Sequence, residues 1–294
     1  MPLTHLLLAL AVVFVWGTNF VVIKLGLAEL PPFLFAALRF TLSAFPLVFL
    51  LKRPQAPWRK LAAFGCLLGV GQFGLLFLAM RADISPGLAS LVIQSQVFFT
   101  IGLARWQRGE GLQRAQAIAL ALALAGIGVI AAHVTATGNH TVTLSGLLLV
   151  LCAAMAWAAA NTVARSVGKV DVLAFMAWSS LFAVLPLFAL SALLDGPAAI
   201  IAGIGHASAL AWSAVVWQAV GNTLFGYGAW NWLLARHPAA TVAPTALLVP
   251  VFGMGASTML AGESLPGWKL LAAALVMAGL ALNLFADRLR TARG

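Results

Sequence analysis

Charged side chains are scarce in this 294-residue sequence, where they make up 8% of residues and only seven are acidic. A soluble domain carries about 25% charged residues, so most of this chain cannot face water. The only two cysteines, Cys66 and Cys152, lie in apolar runs, which argues against a disulfide framework or a zinc site. G-x-S-x-G, H-E-x-x-H and P-loop motifs are also missing, so we expect no enzyme, no cofactor and no metal.

Long apolar runs dominate instead, since hydrophobic residues make up 63% of the chain and the mean hydropathy is +1.03. A membrane-spanning helix needs about 20 such residues, and charge clusters and Pro/Gly turns divide the chain into ten runs of that length. The sequence therefore predicts an all-α integral membrane protein within a lipid bilayer, with a longest loop from Asp195 to about Ala207. The predicted spans are 4–26, 33–51, 60–80, 86–105, 113–133, 144–166, 172–193, 209–233, 239–260 and 267–287.

The net charge of +10 is distributed unevenly along the chain. If the N-terminus lies inside the cell, the C-terminal tail and the loops after even-numbered spans hold 13 of the 17 basic residues, and three fall on the opposite side. This bias predicts a multi-pass protein of the cell (inner) membrane with both termini in the cytoplasm. Clusters between apolar runs also argue against nucleic acid as a partner.

The two halves of the sequence resemble each other at fixed offsets. An offset of 141 relates Trp16 to Trp157, and one of 153 relates Gly109-Glu110 to Gly262-Glu263 and Gly126 to Gly279. Each half then holds five spans, and an odd-numbered repeat places its copies in opposite orientations. The sequence predicts two inverted five-helix repeats, residues 1–138 and 139–294.

These residues carry a resemblance to a known family. Trp16-Gly17-x-Asn19 followed by Lys24, Arg39 in the second span, and the duplicated Gly-Glu resemble the EamA-type drug/metabolite transporter superfamily. The chain is also similar to the YddG-type aromatic amino-acid exporters within it. The resemblance implies a ten-helix fold and transport of small metabolites, often amino-acid export. The second half departs from the pattern, since Ala158 to Ala160 replace the Gly-Thr region and Ser180 stands where an arginine would match Arg39.

Polar side chains inside spans usually face the bundle interior or a cavity. Arg39 lies about two turns into its span, where a backbone carbonyl, a helix C-terminus or a substrate carboxylate could satisfy it. The alternative role for the amides and tryptophans is contact between helices. The candidate substrate-binding residues are Trp16, Asn19, Arg39, Gln72, Gln94, Trp157, Asn161, Gln218 and Asn222.

Three further expectations concern mechanism. Pro244 and Pro250 each remove a backbone hydrogen bond, which predicts a bend that gates the ninth span. Glu110 and Glu263 precede a span in each half, where a carboxylate favours a helix N-terminus. All seven acidic residues fall in loops or at span ends, which favours facilitative export over a proton-driven cycle.

We therefore expect a monomeric secondary transporter that exports small metabolites by alternating access. Amino acids with aromatic or apolar side chains are the expected small-molecule substrate, because an aromatic ring and an amide can stack on such a solute and hydrogen-bond its polar end. A passive channel or pore is the alternative, and a membrane enzyme or assembly scaffold is a third possibility.

Overall fold

A computed structural model describes residues 1–45, 47–109, 113–137 and 142–291, which are almost entirely helical. The ten long helices are α1 (Leu3–Leu27), α2 (Pro32–Ala44 with Leu47–Leu50), α3 (Trp58–Ala82), α4 (Pro86–Gln107), α5 (Arg114–Thr137), α6 (Leu144–Val167), α7 (Val172–Asp195), α8 (Ala209–Arg236), α9 (Ala243–Ala261) and α10 (Gly267–Thr291). The connection between α7 and α8 contains a shorter helix, Pro197–His206.

The helices have the length and composition of membrane spans. Within the described part of the chain, nine are long and apolar enough to cross a bilayer, and α8 gives a tenth when it is counted with the short helix before it. The predicted fold, an all-α membrane protein of ten helices in two repeats, is confirmed. A helix satisfies its backbone polar groups within its own segment, as hydrocarbon requires, which is why long apolar runs predict this class.

The segment from Asp195 to Ala207, which the sequence predicts as a loop, is largely helical. Gly196, at a φ of 85°, ends α7, and Pro197 then occupies the first helical position, where its missing N–H costs nothing. The short helix meets α8 at an angle of 101°.

Packing between helices follows the twofold relation of the repeats. Each helix of the first repeat corresponds to the helix five places later in the second, so α1 corresponds to α6 and α5 to α10. Under this correspondence the contact between α1 and α9 matches that between α6 and α4, and the contact between α3 and α6 matches that between α8 and α1. The pairs α2–α7 and α5–α10 map onto themselves. Each helix therefore buries its interior face mainly against the other repeat.

The α5–α10 contact shows the symmetry at the level of single atoms. A Cβ on Gly126 would lie 2.8 Å from the carbonyl oxygen of Ala272, and a Cβ on Gly279 would lie 2.5 Å from that of Ala119. The two contacts are related by the offset of 153 found in the sequence, which takes Gly126 to Gly279 and Ala119 to Ala272. Small residues thus let the two helices approach closely, as is common where lipid supplies no hydrophobic driving force.

The glycine of the duplicated Gly-Glu motif ends the fourth helix of each repeat. Gly109 and Gly262 adopt left-handed conformations, with φ of 65° and 66°, immediately after α4 and α9. Glycine reaches this conformation without a Cβ clash, so it ends both helices. Glu110 lies outside the described residues.

Irregular helical turns also occur at matching places. The third helix of each repeat contains a π-helical segment, Leu67–Gly74 in α3 and Trp217–Phe225 in α8. The fourth helix of each repeat has a 3₁₀ segment, Ile93–Ser95 in α4 and Ala243–Leu247 in α9. Such departures from α-helical geometry are frequent at functional sites.

Proline accounts for only part of this pattern. Pro244 lies in the 3₁₀ segment of α9, and the buried Pro250 lies in the α-helical part that follows. α4 has the corresponding break although Leu91 and Val97 stand at the matching positions. The irregularity therefore belongs to the repeat architecture, and the gating role of the two prolines stays a prediction.

Gly126→Ala should lower the thermal midpoint of the detergent-solubilised protein. The new Cβ would lie 2.7 Å from Val276 Cγ2 as well as close to the Ala272 carbonyl, and overpacking typically costs about 1–3 kcal/mol. Gly128→Ala is the matched control on the same helix, because its Cβ would have no neighbour within 4 Å; it should leave the midpoint unchanged or raise it. Equal midpoints for the two variants would contradict this account of the α5–α10 contact.

Candidate functional site

Arg39 is a buried cation near the middle of α2, with 1% of its surface exposed. Its Nη2 donates a hydrogen bond to Thr223 Oγ1 at 2.7 Å, and its Cζ lies 3.8 Å from the ring centre of Phe73 and 4.8 Å from that of Phe40. Nε and Nη1 have no hydrogen-bond partner among the described residues. A buried ion costs several kcal/mol unless it is compensated, and one neutral hydrogen bond with two ring faces compensates this one only in part.

The π-helical segment of α8 positions the partner of Arg39. Thr223 Oγ1 donates to the carbonyl oxygen of Gln218, five residues earlier, at 3.0 Å, which leaves its lone pairs available to the guanidinium. Gln218 Nε2 in turn donates to Asn19 Oδ1 on α1 at 2.7 Å. We call Asn19, Arg39, Gln218 and Thr223 the central polar cluster; it connects α1, α2 and α8.

Trp16 lies on the same side of α1 as Asn19 and also faces α8. Its indole Nε1 donates to the backbone oxygen of Asn222 at 3.2 Å. Its ring is 5.5 Å from that of Tyr227 and 5.2 Å from that of Trp230. Trp16, which like Asn19 is a predicted substrate-binding residue, therefore packs along α8, next to the central polar cluster.

Two buried amide oxygens lack partners in this region. Gln72, in the π-helical segment of α3 and adjacent to Phe73, is 3% exposed, and its Oε1 has no hydrogen-bond partner among the described residues. The same holds for Gln218 Oε1. Unpaired Arg39 donors and an unpaired Gln218 acceptor thus occur where α2 contacts α8, and Gln72 adds a buried unpaired acceptor on α3, next in sequence to the phenylalanine that faces Arg39; buried polar groups ordinarily find partners.

The other candidates lie between α4 and α6. Asn161 Nδ2 donates to Gln96 Oε1 at 3.2 Å, and Thr100 Oγ1 donates to the same oxygen at 3.3 Å. Gln94 is buried, and Trp157 is half-buried against the hydrophobic core. The structure therefore divides the predicted residues into an α1–α2–α3–α8 group and an α4–α6 group.

Sequence reasoning did not select Thr223, Phe73 or Gln96 as site residues. Regular α-helical spacing places Thr223 and Gln218 on different faces, and only the π-helical segment brings their polar atoms together. A phenylalanine in a span carries no polar signal. The polar segment Gln94-Ser95-Gln96 is visible in the sequence, but its register against α6 is not.

Comparison with known proteins gives a consistent result. Residues 3–132 and 144–285 match the model of the EamA-like transporter family. A Salmonella typhimurium protein named "Probable amino-acid metabolite efflux pump" is 41% identical over 291 residues, which cover 97% of each chain. An Escherichia coli K12 protein of the same name is 40% identical and covers 97% of this chain and 96% of its own.

More distant relatives extend the comparison. A Streptantibioticus cattleyicolor protein named "Probable terminal-alkyne amino-acid exporter" is 26% identical over 92% of this chain and 90% of its own. A crystal structure of another protein has the same fold, with a TM-score of 0.62 at 20% identity over 97% of this chain and 99% of that one.

Thr223→Val should destabilise the protein by about 1–3 kcal/mol, because it leaves another buried guanidinium donor unpaired. Thr223→Ser keeps the hydroxyl and should lose much less stability. Thermal unfolding of both variants in the same detergent measures the difference. A valine variant as stable as the serine variant would show that the Arg39–Thr223 hydrogen bond contributes little.

Proposed function

This chain belongs to the EamA-like transporter family, and from that premise we propose that it is a secondary carrier that exports amino acids, bound as zwitterions at the central polar cluster. The observation that carries the proposal is the incomplete compensation of Arg39. Its Nε and Nη1 are unpaired, and its Nη2 carries a second N–H besides the one donated to Thr223. One edge of the guanidinium, Nε with Nη2 or Nη1 with Nη2, therefore presents two N–H groups to a carboxylate in a bidentate, charge-assisted geometry.

The unpaired amide oxygens suit the other end of such a substrate. An ammonium group carries three donors and no acceptor, and Gln72 Oε1 and Gln218 Oε1 are buried acceptors without partners among the described residues. A zwitterion would therefore satisfy both sets of groups. Trp16, Asn19 and Asn222 adjoin this region, whereas Gln94, Trp157 and Asn161 would contact the substrate from the opposite side as the carrier changes conformation.

Recognition through the carboxylate and ammonium also agrees with the names of the relatives. Two are named for amino-acid metabolites and one for terminal-alkyne amino acids. What these names share is the amino-acid group rather than one side chain. The aromatic residues near Trp16 favour planar or apolar side chains.

The positions of the acidic residues that the structure describes favour transport without proton coupling. Glu29, Asp83, Asp171, Asp195 and Glu263 lie at helix ends or in connections. A proton cycle through a buried carboxylate ordinarily uses one in the membrane interior. The proposed mode is therefore facilitative export down the gradient of the amino acid, by alternating access and as a monomer, with no nucleic-acid partner.

The proposed location is the cell (inner) membrane with both termini in the cytoplasm, from the distribution of 13 against three basic residues. Reporter fusions at Gly294 and Gly138 test this orientation and the inverted repeat together. The two sites should report opposite sides of the membrane, cytoplasmic for Gly294. Fusions that report one side would contradict the arrangement of two five-span halves.

Arg39→Gln should reduce amino-acid counterflow in proteoliposomes about 30- to 140-fold, since a charge-assisted contact is worth about 2–3 kcal/mol. Counterflow also separates a carrier from a channel, because unlabelled solute inside the vesicles drives transient accumulation of labelled solute through a carrier but not through a pore. For the unaltered protein, phenylalanine should exchange and phenethylamine, which lacks the carboxylate, should not.

Arg165→Gln is the matched control for this experiment. Arg165 is exposed at the end of α6, where its Nε donates to the Asn161 carbonyl at 3.4 Å, so its removal should leave counterflow unchanged. Undiminished exchange in a folded Arg39→Gln protein, or equal uptake of phenylalanine and phenethylamine, would overturn the zwitterion site.

A further inference from the structure

Four carboxylates at one end of the bundle share an unusual arrangement. They lie at the face where α1, α3, α7 and α9 end, which is the outer face in the orientation proposed above. Each one contacts the beginning of a helix that belongs to the other repeat. The four residues are Glu29, Asp83, Asp195 and Glu263.

Glu29 and Asp195 connect the repeats on one side of this face. Glu29, after α1, accepts hydrogen bonds from the backbone N–H of Ser208 at 2.5 Å and from its hydroxyl at 2.7 Å, directly before α8. Asp195, at the end of α7, accepts from the N–H of Leu34 in the first turn of α2 at 3.1 Å. Both carboxylates thus complete helix N-termini whose N–H groups would otherwise be unpaired.

Asp83, between α3 and α4, performs the corresponding task for α6. Its Oδ1 accepts from the hydroxyl of Thr143 at 3.0 Å. The same Thr143 oxygen accepts from Gly146 N at 2.9 Å and so caps α6. The backbone N–H of Thr143 also donates to the Asp83 carbonyl oxygen at 2.8 Å.

Glu263 makes the most extensive of these contacts. The sequence predicts that it caps the helix that follows it, α10, but in the structure it caps α4. Its carboxylate oxygens accept hydrogen bonds from Ser85 Oγ at 2.5 Å and from Gly87 N at 3.0 Å, and also from Ser257 Oγ. Lys269 Nζ, 1% exposed, forms an ion pair with it at 2.8 Å. Gly262 turns the chain so that the carboxylate points toward α4 rather than along α10.

Ionised carboxylates make these caps strong. Hydrogen bonds from the backbone and hydroxyl of Ser208 lower the pKa of Glu29 below 4.5. Burial acts to raise the pKa of Glu263, but hydrogen bonds from Lys269, Ser257 and Ser85, together with the charge of Lys269, lower it below 4.5. Both groups are therefore charged at neutral pH, and charge-assisted hydrogen bonds are about twice as strong as neutral ones.

The opposite face has three symmetry-related junctions with different chemistry. The counterpart of Glu29–Ser208 is Lys60 Nζ donating to the Ser166 carbonyl at 2.6 Å, and that of Asp83–Thr143 is the contact of His5 with His237 at 2.7 Å. The counterpart of Asp195–Leu34 is Trp178 Nε1 donating to the Leu51 carbonyl at 3.2 Å. In these three junctions no carboxylate takes part among the described residues.

We propose that Glu29, Asp83, Asp195 and Glu263 form an outer gate that holds the resting carrier closed to the outside. Alternating access requires the two repeats to separate at one face at a time. The outer face has four carboxylate contacts, whereas the three described junctions of the opposite face have one ionised group, Lys60, so the outer face separates less readily. The resting carrier then exposes its interior to the cytoplasm, from which an exporter must load.

The test measures how often the outer face opens. Leu34 is fully buried, and its N–H makes the Asp195 contact. Leu34→Cys, in a background without Cys66 and Cys152, therefore reports opening through its reaction with a membrane-impermeant maleimide added outside cells. Loss of one side-chain cap shifts an equilibrium about fivefold. Glu29→Ala and Asp195→Ala should each raise the labelling rate about fivefold, and the double variant should raise it more than either.

Asp171→Ala is the matched control, because Asp171 caps the N-terminus of α7 through Ala174 N at 2.8 Å, within its own repeat and at the opposite face. Its labelling rate should equal that of the parent. Unchanged labelling in both outer variants, or an equal increase in Asp171→Ala, would overturn the gate. The measurement needs no substrate, so its result is independent of whether amino acids are the cargo; the fusions at Gly138 and Gly294 report separately on which face is outer.

Discussion

Every polar group that enters hydrocarbon must find its partner inside the protein, and this constraint governs the whole structure. Backbone groups meet it by forming helices. Side-chain amides meet it by pairing between helices, as Gln218 does with Asn19 and Asn161 with Gln96. Arg39 meets it only in part, because Thr223 and two aromatic rings leave two guanidinium donors unpaired. The cost of that burial is what a bound carboxylate would offset.

The backbone obeys the twofold relation more closely than the side chains do. Terminal glycines, π-helical segments and 3₁₀ turns occur in both repeats. The buried Arg39 occurs in one repeat only, since Ser180 occupies the related position. The buried Lys269–Glu263 ion pair also occurs in one repeat only, since Gln116 occupies the position related to Lys269. Symmetry supplies two faces that can open in turn, whereas asymmetric side chains supply one binding site and a preference for one closed face.

The sequence predicted the number of spans, the inverted repeat and the depth of Arg39 because these depend on composition and spacing along one helix. It missed the helix at Pro197–His206, since a short apolar stretch after Gly196 and Pro197 reads equally well as a loop. It also missed Thr223 and Gln96. Their roles depend on a π-helical segment and on the register between α4 and α6, neither of which follows from α-helical periodicity.

Hydropathy and basic-residue bias act segment by segment, so the sequence by itself determined that the chain is a ten-helix membrane protein and gave a predicted orientation. The tertiary structure alone decided which groups meet. Arg39 and Thr223 are 184 residues apart, and Glu263 caps a helix that begins 177 residues before it rather than the one that follows. Hydrogen bonds act over about 3 Å, so their partners depend on how helices from different repeats pack, which no local pattern specifies.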